Sequence, residues 1–340
     1  MSEIRILSAE DIAKVFTVTD ALKAVEDAYA QKANGTGKAW PMVYAQFEPG
    51  VADMDIRSGE LAGSGLFGLK LTAWFSKNPS NGLPEIFGTT LICSDITGEP
   101  LALLNASAIT ALRTGAAAAL GIKHLARKNP KSLLMAGTGH MSAYCVAATL
   151  AACPSVSRVL LWNPSKSEAP VARLTLAEET VHAVLTDAGI DRDFDIVAVA
   201  DGESACAEAD AIITATPSYN PFLKAEWVKP GTHISTVGAD MEGKQETESA
   251  LQAAAKLFVD DREQSMASGE LEIPVKEGAI SPDDIAGELG QVIVGQVPGR
   301  TADDQITLFD TSGIAVQDLA SCKLVYDHAV ELGLGSVVAL

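Results

Sequence analysis

The chain has 340 residues, 47% of them hydrophobic and 20% charged, which is enough for about two domains with cores of their own and excludes a disordered or collagen-like chain. Its 25 Lys and Arg stand against 44 Asp and Glu, a formal net charge of −19, so a nucleic-acid duplex or an anionic membrane is repelled and neither is expected as a partner. The five cysteines are widely spaced with no CxxC pair, which fits reduced thiols; no disulfide scaffold and no metal site is expected.

Met1 to Ile12 carries acids and no basic flank leading into an apolar core, so no secretory signal is read and the expected compartment is the cytoplasm. Arg5 to Leu7 reads as a short strand, and Ser8 as an N-cap with Glu10 and Asp11 in the first helical turn. A second helix, from about Thr19 to Lys32, carries Ala21, Leu22, Val25, Ala28 and Tyr29 at helical spacing and ends at Asn34-Gly35. From Met42 to Leu104 the periodicity shortens, with turn signals at Pro49-Gly50, Ser58-Gly59, Asn81-Gly82 and Thr97-Gly98, which predicts a mostly antiparallel sheet. Ala106 to Lys128 returns to helix and stops at Asn129-Pro130. This Ala-rich stretch comes nearest to a membrane span, but Arg113, Lys123 and Arg127 interrupt it well short of ~18 apolar residues.

Beyond Lys131 strand and helix alternate at the length of βαβ units: Ser132 to Ala136, Met141 to Ala152, Arg158 to Trp162, and Ala169 to Leu176. Further short apolar strands are expected at Asp195 to Ala198, Ala211 to Ala215, His233 to Val237 and Lys256 to Val259, a pattern suited to a parallel sheet buried on both faces. Gly269 to Asp303 reads as a loop-rich return. Ala315 to Gly333 reads as a helix that packs back on the first domain.

The strand Ser132 to Ala136 runs into Gly137-Thr138-Gly139-His140-Met141-Ser142, where a helix begins at once. In a dinucleotide-binding turn the first glycine permits the tight bend, the second admits the pyrophosphate to the backbone, and the helix-start N–H groups face the negative charge. A lone GxG is a weak signal, but here it ends a strand, opens a helix and precedes another strand, the context the motif needs. The second strand ends at Trp162-Asn163-Pro164-Ser165-Lys166, with no Asp or Glu where an NAD-selective site places one for the ribose. Asn163, Ser165 and Lys166 therefore lean toward NADP over NAD. His140 is either a cofactor contact or merely exposed.

Three cations lie outside obvious solvent faces. Lys70 interrupts the apolar run Leu66 to Phe75, Arg57 sits one strand earlier, and Arg113-Thr114 falls near the middle of the Ala-rich helix. Long charged side chains are rarely buried without a partner. In an acidic protein the three suggest a pocket for a small anion, although each alone fits a structural ion pair or a snorkelling side chain. Asp240 ends the apolar run Ile234 to Asp240, at the kind of strand tip where doubly wound sheets bind ligands; an Asx turn is its plainer role. Cations for a carboxylate and an acid for an amine describe an α-amino acid or its imine.

With these residues in view, the chain resembles the ornithine cyclodeaminase and mu-crystallin family over nearly its whole length. The matching pieces are Gly68-Leu-Lys70, Asn78 with Gly82-Leu-Pro84, Thr97-Gly-Glu-Pro-Leu-Ala-Leu103, Ile109-Thr-Ala-Leu-Arg-Thr-Gly-Ala116, Gly137-Thr-Gly139, Thr214-Ala-Thr-Pro-Ser218, Pro230-Gly-Thr-His233, Val237-Gly-Ala-Asp240 and Phe309-Asp-Thr-Ser-Gly313. The resemblance implies an α/β chain: a Rossmann NAD(P)-binding domain over 113–315, and an α+β substrate and dimerisation domain built from both ends, 1–112 and 316–340. It implies a homodimer. Lys70 and Arg113, with Arg57, are then expected at the substrate carboxylate, Asp240 at the substrate nitrogen or the reacting water, and Lys70 and Asp240 as the catalytic pair. Thr114, Gly137, Thr138, Gly139, His140, Met141, Asn163, Ser165, Lys166, Ala215, Thr216, Pro217, Ser218, Val237, Gly238 and Ser312 are expected around the cofactor.

Two departures stand out. Pro41-Met-Val43 lacks the arginine of the Pro-x-Arg that many members show, a place Arg57 could fill, and Glu85 follows Gly-Leu-Pro where Thr or Ser is frequent, adding an acid near the pocket. The implied activity is hydride transfer between NADP or NAD and the CH–NH2 or C=N bond of a small amino or imino acid, as an imine reductase or amino acid dehydrogenase. The alternatives are an ornithine cyclodeaminase-type ammonia-lyase that uses NAD with no net redox change, and a non-catalytic crystallin-like NADPH-binding protein.

Overall fold

The computed structural model describes residues 3–165 and 171–340. The expected Lys166 and the start of the helix placed at Ala169 lie outside the described residues. The chain divides into two compact units, Met1–Arg113 with Ile314–Leu340, and Thr114–Gly313.

The first unit opens with β1 (Glu3–Leu7), α1 (Ala9–Ala13) and α2 (Val18–Ala33), followed by β2 (Gly37–Ala39), β3 (Val43–Glu48), β4 (Ala52–Leu61), β5 (Leu66–Phe75), β6 (Ile86–Ser94) and β7 (Pro100–Asn105). Ser8 and Asp11 close a capping box on α1, and Thr17 and Asp20 do the same on α2. Helix α3 (Ser107–Leu125) follows, and the division between units falls within it.

The second unit continues with β8 (Ser132–Ala136), α4 (His140–Ala152), β9 (Arg158–Trp162), α5 (Val171–Asp187), β10 (Asp195–Val199), α6 (Gly202–Glu208), β11 (Ala211–Thr214), β12 (His233–Thr236), α7 (Ser249–Ala254), β13 (Lys256–Val259), α8 (Arg262–Ser268), α9 (Glu272–Glu277), β14 (Ile285–Glu288), α10 (Leu289–Ile293) and β15 (Thr307–Asp310). Its sheet is parallel throughout, in the order β10-β9-β8-β11-β12-β15-β13-β14. Strands β8, β11, β12 and β15 are buried along their whole length, as strands covered by helices on both faces must be. The order reverses between β8 and β11, the switch point beyond whose carboxyl ends sheets of this kind bind their ligands. Gly269 to Asp303 is not the loop-rich return expected from its Gly, Pro and acids: it holds α9, β14 and α10, and β14 extends the sheet beside β13. β14 is only four residues long and contains Gly287, which hid it from the period-two pattern.

The chain then returns to the first unit as α11 (Ala315–Glu331) and β16 (Ser336–Ala339). β16 pairs antiparallel with β1, and the sheet runs β16-β1-β7-β6-β5-β4-β2, with β3 also on β4 and every pair antiparallel except β1 with β7. Helix α11 lies on β4 and β5. Two glycines allow the close approach: a Cβ at Gly68 meets Leu319 Cδ2 at 2.9 Å, and one at Gly59 meets the Ala315 Cβ at 3.4 Å. In the sheet register Gly59 opposes Gly68, and two residues along Arg57 opposes Lys70, which opposes Thr90 on β6. Period-two alternation therefore sets the two cations on the face that α11 covers. Among the described residues no helix is long and apolar enough to cross a membrane.

Candidate active site

In the first unit, α11 carries an acid that the sequence reading missed. Asp318 sits in the first turn of α11, where the helix N-terminus favours a carboxylate, and its side chain is 3% exposed. Lys70 Nζ lies 3.0 Å from both of its oxygens, and Arg113 Nε lies 3.0 Å from Oδ1. Arg113 Nη1 also donates to Gln317 Oε1 at 3.0 Å, and Gln317 Nε2 donates to the buried Tyr29 hydroxyl at 2.6 Å. The Arg113 Nε approach is out of line, so that N–H is a buried donor with no hydrogen bond, as is the Thr90 hydroxyl beside Lys70. Burial pushes the Lys70 ammonium down to about 8, against the pull of Asp318 and with the repulsion of Arg113 and Arg57. Asp318 is held below the ordinary carboxylate range: burial acts against it, but Arg113 and then Lys70 outweigh that cost. Arg57 is held by Asp55 through Nε at 3.2 Å.

Glu85 is exposed and accepts the Trp74 indole N–H at 2.9 Å. Since Trp74 pairs with Ile86 while Lys70 pairs with Thr90, Glu85 lies roughly 15 Å along the sheet from the Lys70 cluster, not beside it as expected.

In the second unit the expected cofactor residues cluster at the switch point. Gly137 has φ +120° and donates to Trp162 O at 2.8 Å; a Cβ there meets Ala215 O at 2.5 Å, so the turn after β8 lies flat against the loop after β11. Gly139 is the N-cap of α4, and a Cβ on it meets nothing within 4 Å. Fold packing does not require glycine here, but a ligand approaching the backbone does. The Thr138 hydroxyl is buried without a hydrogen-bond partner. His140 and Met141 open α4, with His140 ring-tilted on Tyr144 at 5.2 Å. Asn163, at the tip of β9, accepts the Ser165 N–H at 3.2 Å and its hydroxyl at 2.9 Å, an Asx turn. Thr114, in α3, is half-buried, and its neighbour Gly115 packs against the Tyr144 backbone. An orphaned hydroxyl, an open glycine and free helix-start N–H groups fit the phosphates of a dinucleotide.

The loops after β11 and β12 are tied together by Glu246, another acid not anticipated. Its carboxylate is fully buried and accepts the Thr214 hydroxyl at 2.6 Å, the Thr216 N–H at 2.7 Å, the Thr216 hydroxyl at 2.8 Å and the Gly238 N–H at 2.8 Å. Pro217 follows exposed, and the Ser218 hydroxyl donates to Asn220 O at 2.6 Å. Behind Glu246, the Glu270 carboxylate accepts the N–H groups of Glu246 and Thr247, and the Glu270 backbone N–H donates to Asp310 Oδ2. Burial raises all three carboxyls, Glu270 and Asp310 well above the usual range. Asp260, raised to about 6 by burial, accepts the Thr311 and Ser312 hydroxyls and the Gly313 N–H. The Ser312 hydroxyl is thus turned onto the loop after β13.

Asp240 is not at the tip of a dry strand. β12 ends at Thr236, and Asp240 follows Val237, Gly238 and Ala239 in the loop, with its side chain 44% exposed and Lys244 Nζ 2.6 Å from Oδ1. Lys244 was not foreseen, though its place four residues after Asp240 is a readable signal. His233 is fully buried between the Thr307 and Ser235 hydroxyls at 2.9 and 3.0 Å, a structural role.

The sequence profile of the ornithine cyclodeaminase/mu-crystallin family matches residues 2–333. Alanine dehydrogenase of Archaeoglobus fulgidus is 36% identical over 336 residues, covering 99% of this chain and 98% of its own. Iminosuccinate reductase of Paracoccus denitrificans is 33% identical over 98% of this chain and 99% of its own. Among solved structures, an archaeal alanine dehydrogenase dimer with bound NAD superimposes with a TM-score of 0.87 at 34% identity, covering 99% of each chain.

Proposed function

The chain belongs to the ornithine cyclodeaminase/mu-crystallin family, and we infer from that membership and from its own residues that it is an NAD(P)-dependent oxidoreductase of the CH–NH2 or C=N bond of a small α-amino or imino acid. The observation that carries the carboxylate half of this reading is the Lys70–Arg113–Asp318 cluster. Two buried cations face one buried anion, and Arg113 Nε, although 3.0 Å from Asp318 Oδ1, makes no hydrogen bond to it. A buried charge without a counter-ion costs several kcal/mol, so the cluster favours an incoming carboxylate.

The bound nicotinamide supplies the hydride acceptor or donor. Gly137, Thr138, Gly139, His140 and Met141 are assigned to its phosphates through N–H groups at the start of α4, and Asn163, Ser165 and Lys166 to the adenosine ribose. Ala215, Thr216, Pro217, Ser218, Val237 and Gly238, anchored through Glu246, are assigned to the nicotinamide side, with Thr114 and Ser312 beside them. Asn163 in place of an acid removes the repulsion a 2′-phosphate would meet, so NADPH is accepted beside NADH and preferred. Lys70 and Arg113, with Arg57, fix the carboxylate and convert binding energy into orientation. Asp240 holds the substrate nitrogen, releasing Lys244 as it does so, and its carboxylate stabilises the iminium charge or takes a proton from water. Lys70, about half charged near pH 8, can deliver a proton.

A homodimer is the proposed assembly. Val43, Tyr44 and Phe47 on β3 and Ile86 and Phe87 at the start of β6 are exposed, and Phe47 stacks on Phe75 at 5.9 Å. Apolar surface of that kind marks an interface. The five cysteines are free and buried, which suits the reducing cytoplasm.

The deciding experiment follows nicotinamide absorbance with NADH and with NADPH against 2-oxo acids plus ammonia, cyclic imino acids and L-amino acids. Oxidation of reduced cofactor by an oxo acid with ammonia, or by a cyclic imine, is the expected result. Ornithine consumed with ammonia released and no net absorbance change selects the cyclodeaminase instead, and tight cofactor binding with no turnover selects a binder.

A further inference from the structure

We propose that Asp318 is a positioning residue that also sets the charge of the substrate site: it holds Lys70 and Arg113 in place and leaves them one positive charge in excess, so the site takes a monocarboxylate and discriminates against a dicarboxylate. The inference rests on the proposed function and narrows its substrate class.

Lys70, Arg113 and Asp318 have side chains 5%, 7% and 3% exposed, so water screens none of them effectively. Their sum is one positive charge. Arg57, which opposes Lys70 in the register, is paired with Asp55, so the two together add no net charge to the balance. A single carboxylate drawn to the Arg113 guanidinium, whose Nε is ion-paired to Asp318 but makes no hydrogen bond, and lying beside the Thr90 hydroxyl, brings the cluster to neutrality. A second carboxylate on the same substrate has no uncompensated cation in the cluster to meet and carries its desolvation cost unrelieved. With Arg57 held by Asp55, it binds weakly.

Asp318 also fixes geometry. Because Lys70 Nζ lies 3.0 Å from both oxygens and Arg113 Nε 3.0 Å from one, the two cations are held about a common point from opposite elements, β5 and α3. Gln317 and Tyr29 complete the brace on the other side of the guanidinium. Asp318 is given no contact with a reacting atom and acts only through Lys70 and Arg113.

The test compares oxaloacetate with 4-methyl-2-oxopentanoate, whose branched end copies the shape of the second carboxylate without its charge, and with pyruvate, each with ammonia and reduced cofactor. The wild-type protein should favour both monocarboxylates over oxaloacetate in kcat/KM by about tenfold or more. Asp318→Asn raises the cluster to two uncompensated charges: kcat/KM for the monocarboxylates falls about tenfold or more while that for oxaloacetate falls less, so the ratio moves toward the dicarboxylate. Equal losses on all three mark a merely structural role and overturn the proposal, as does a wild-type preference for oxaloacetate. Should Asp318→Asn not fold, the wild-type ratio still decides, together with the rise in Tm of the NADH-loaded protein on adding each acid. Failure of the oxidoreductase reading looks different: no turnover, but a larger Tm rise with the monocarboxylates, which leaves the charge argument standing. No Tm rise with any of them, or a larger rise with oxaloacetate, removes it.

Discussion

Thr216 donates both its backbone N–H, at 2.7 Å, and its hydroxyl, at 2.8 Å, to one oxygen of Glu246, whose other oxygen takes the Gly238 N–H at 2.8 Å. One buried carboxylate therefore sets the spacing of two loops assigned to the cofactor. An amide in its place offers a single acceptor oxygen, and its NH2 faces an N–H donor. Glu246→Gln is expected to cost about 1–3 kcal/mol of stability from the unsatisfied N–H, and to weaken NADH binding about tenfold. Urea denaturation and titration of nicotinamide fluorescence read the two effects. Unchanged NADH affinity in a destabilised variant would separate Glu246 from the cofactor.

The two loop glycines should behave oppositely. Gly139→Ala places its Cβ in open space, so stability should stay within about 1 kcal/mol of wild type while cofactor affinity falls about tenfold or more. Gly137→Ala combines φ +120° with a Cβ 2.5 Å from Ala215 O and should damage the fold itself, by about 2 kcal/mol or more. Thermal melts with and without NADH distinguish them, and a Gly139→Ala variant that binds NADH normally removes the phosphate assignment.

How much of this was open to sequence reading depended on how local the signal is. The glycine turn after β8 was legible because strand, turn and helix adjoin in the chain, and the buried cations were legible because Lys70 interrupts an apolar run. Asp318 was not: it lies 248 residues from Lys70, and an acid in the first turn of α11 looks like an ordinary N-terminal charge until the fold lays that helix on β5. Glu246 and Glu270 were hidden for the same reason, since their partners are backbone N–H groups of distant loops that no side-chain pattern announces. The position of Asp240 was misjudged because the apolar run Ile234 to Ala239 continues past the end of β12 into the loop. The edge strand β16 went unseen because all four of its residues are exposed, leaving no alternation to detect.

Substrate capture should depend on the charge of Lys70. Its ammonium is pushed down to about 8 by burial, with Arg113 and Arg57 adding repulsion and Asp318 opposing them. A carboxylate binds the protonated form, so below pH 8 the site is fully charged, and above it the competent fraction drops tenfold per pH unit. The logarithm of kcat/KM should fall with a slope near −1 above about pH 8. Lys70→Arg keeps the charge at all accessible pH and should abolish that limb even where overall activity drops. Initial rates from pH 6.5 to 10 check this, and a limb that persists in Lys70→Arg assigns it to another group.

The pH dependence of stability should carry the mark of His233. This ring is fully buried between the Thr307 and Ser235 hydroxyls, and burial, followed by the Arg300 charge, brings its pKa down from 6.5 to about 3. The folded state therefore holds the neutral ring, while the unfolded chain takes up a proton as pH falls below 6.5. With more protons on the unfolded state, stability must fall with pH from 6.5 toward 3, by roughly 5 kcal/mol in all. Asp260 acts with the opposite sign: burial raises its pKa to about 6, so the folded state is protonated first and gains stability as pH drops through 6. The wild-type profile thus contains opposing slopes, and the difference between variants isolates the histidine. His233→Gln lacks a titrating ring, so the stability gap between wild type and variant should shrink steadily as pH is lowered from 6.5, read from urea midpoints at half-unit steps. A gap that stays constant across that range means the ring is already charged in the folded protein.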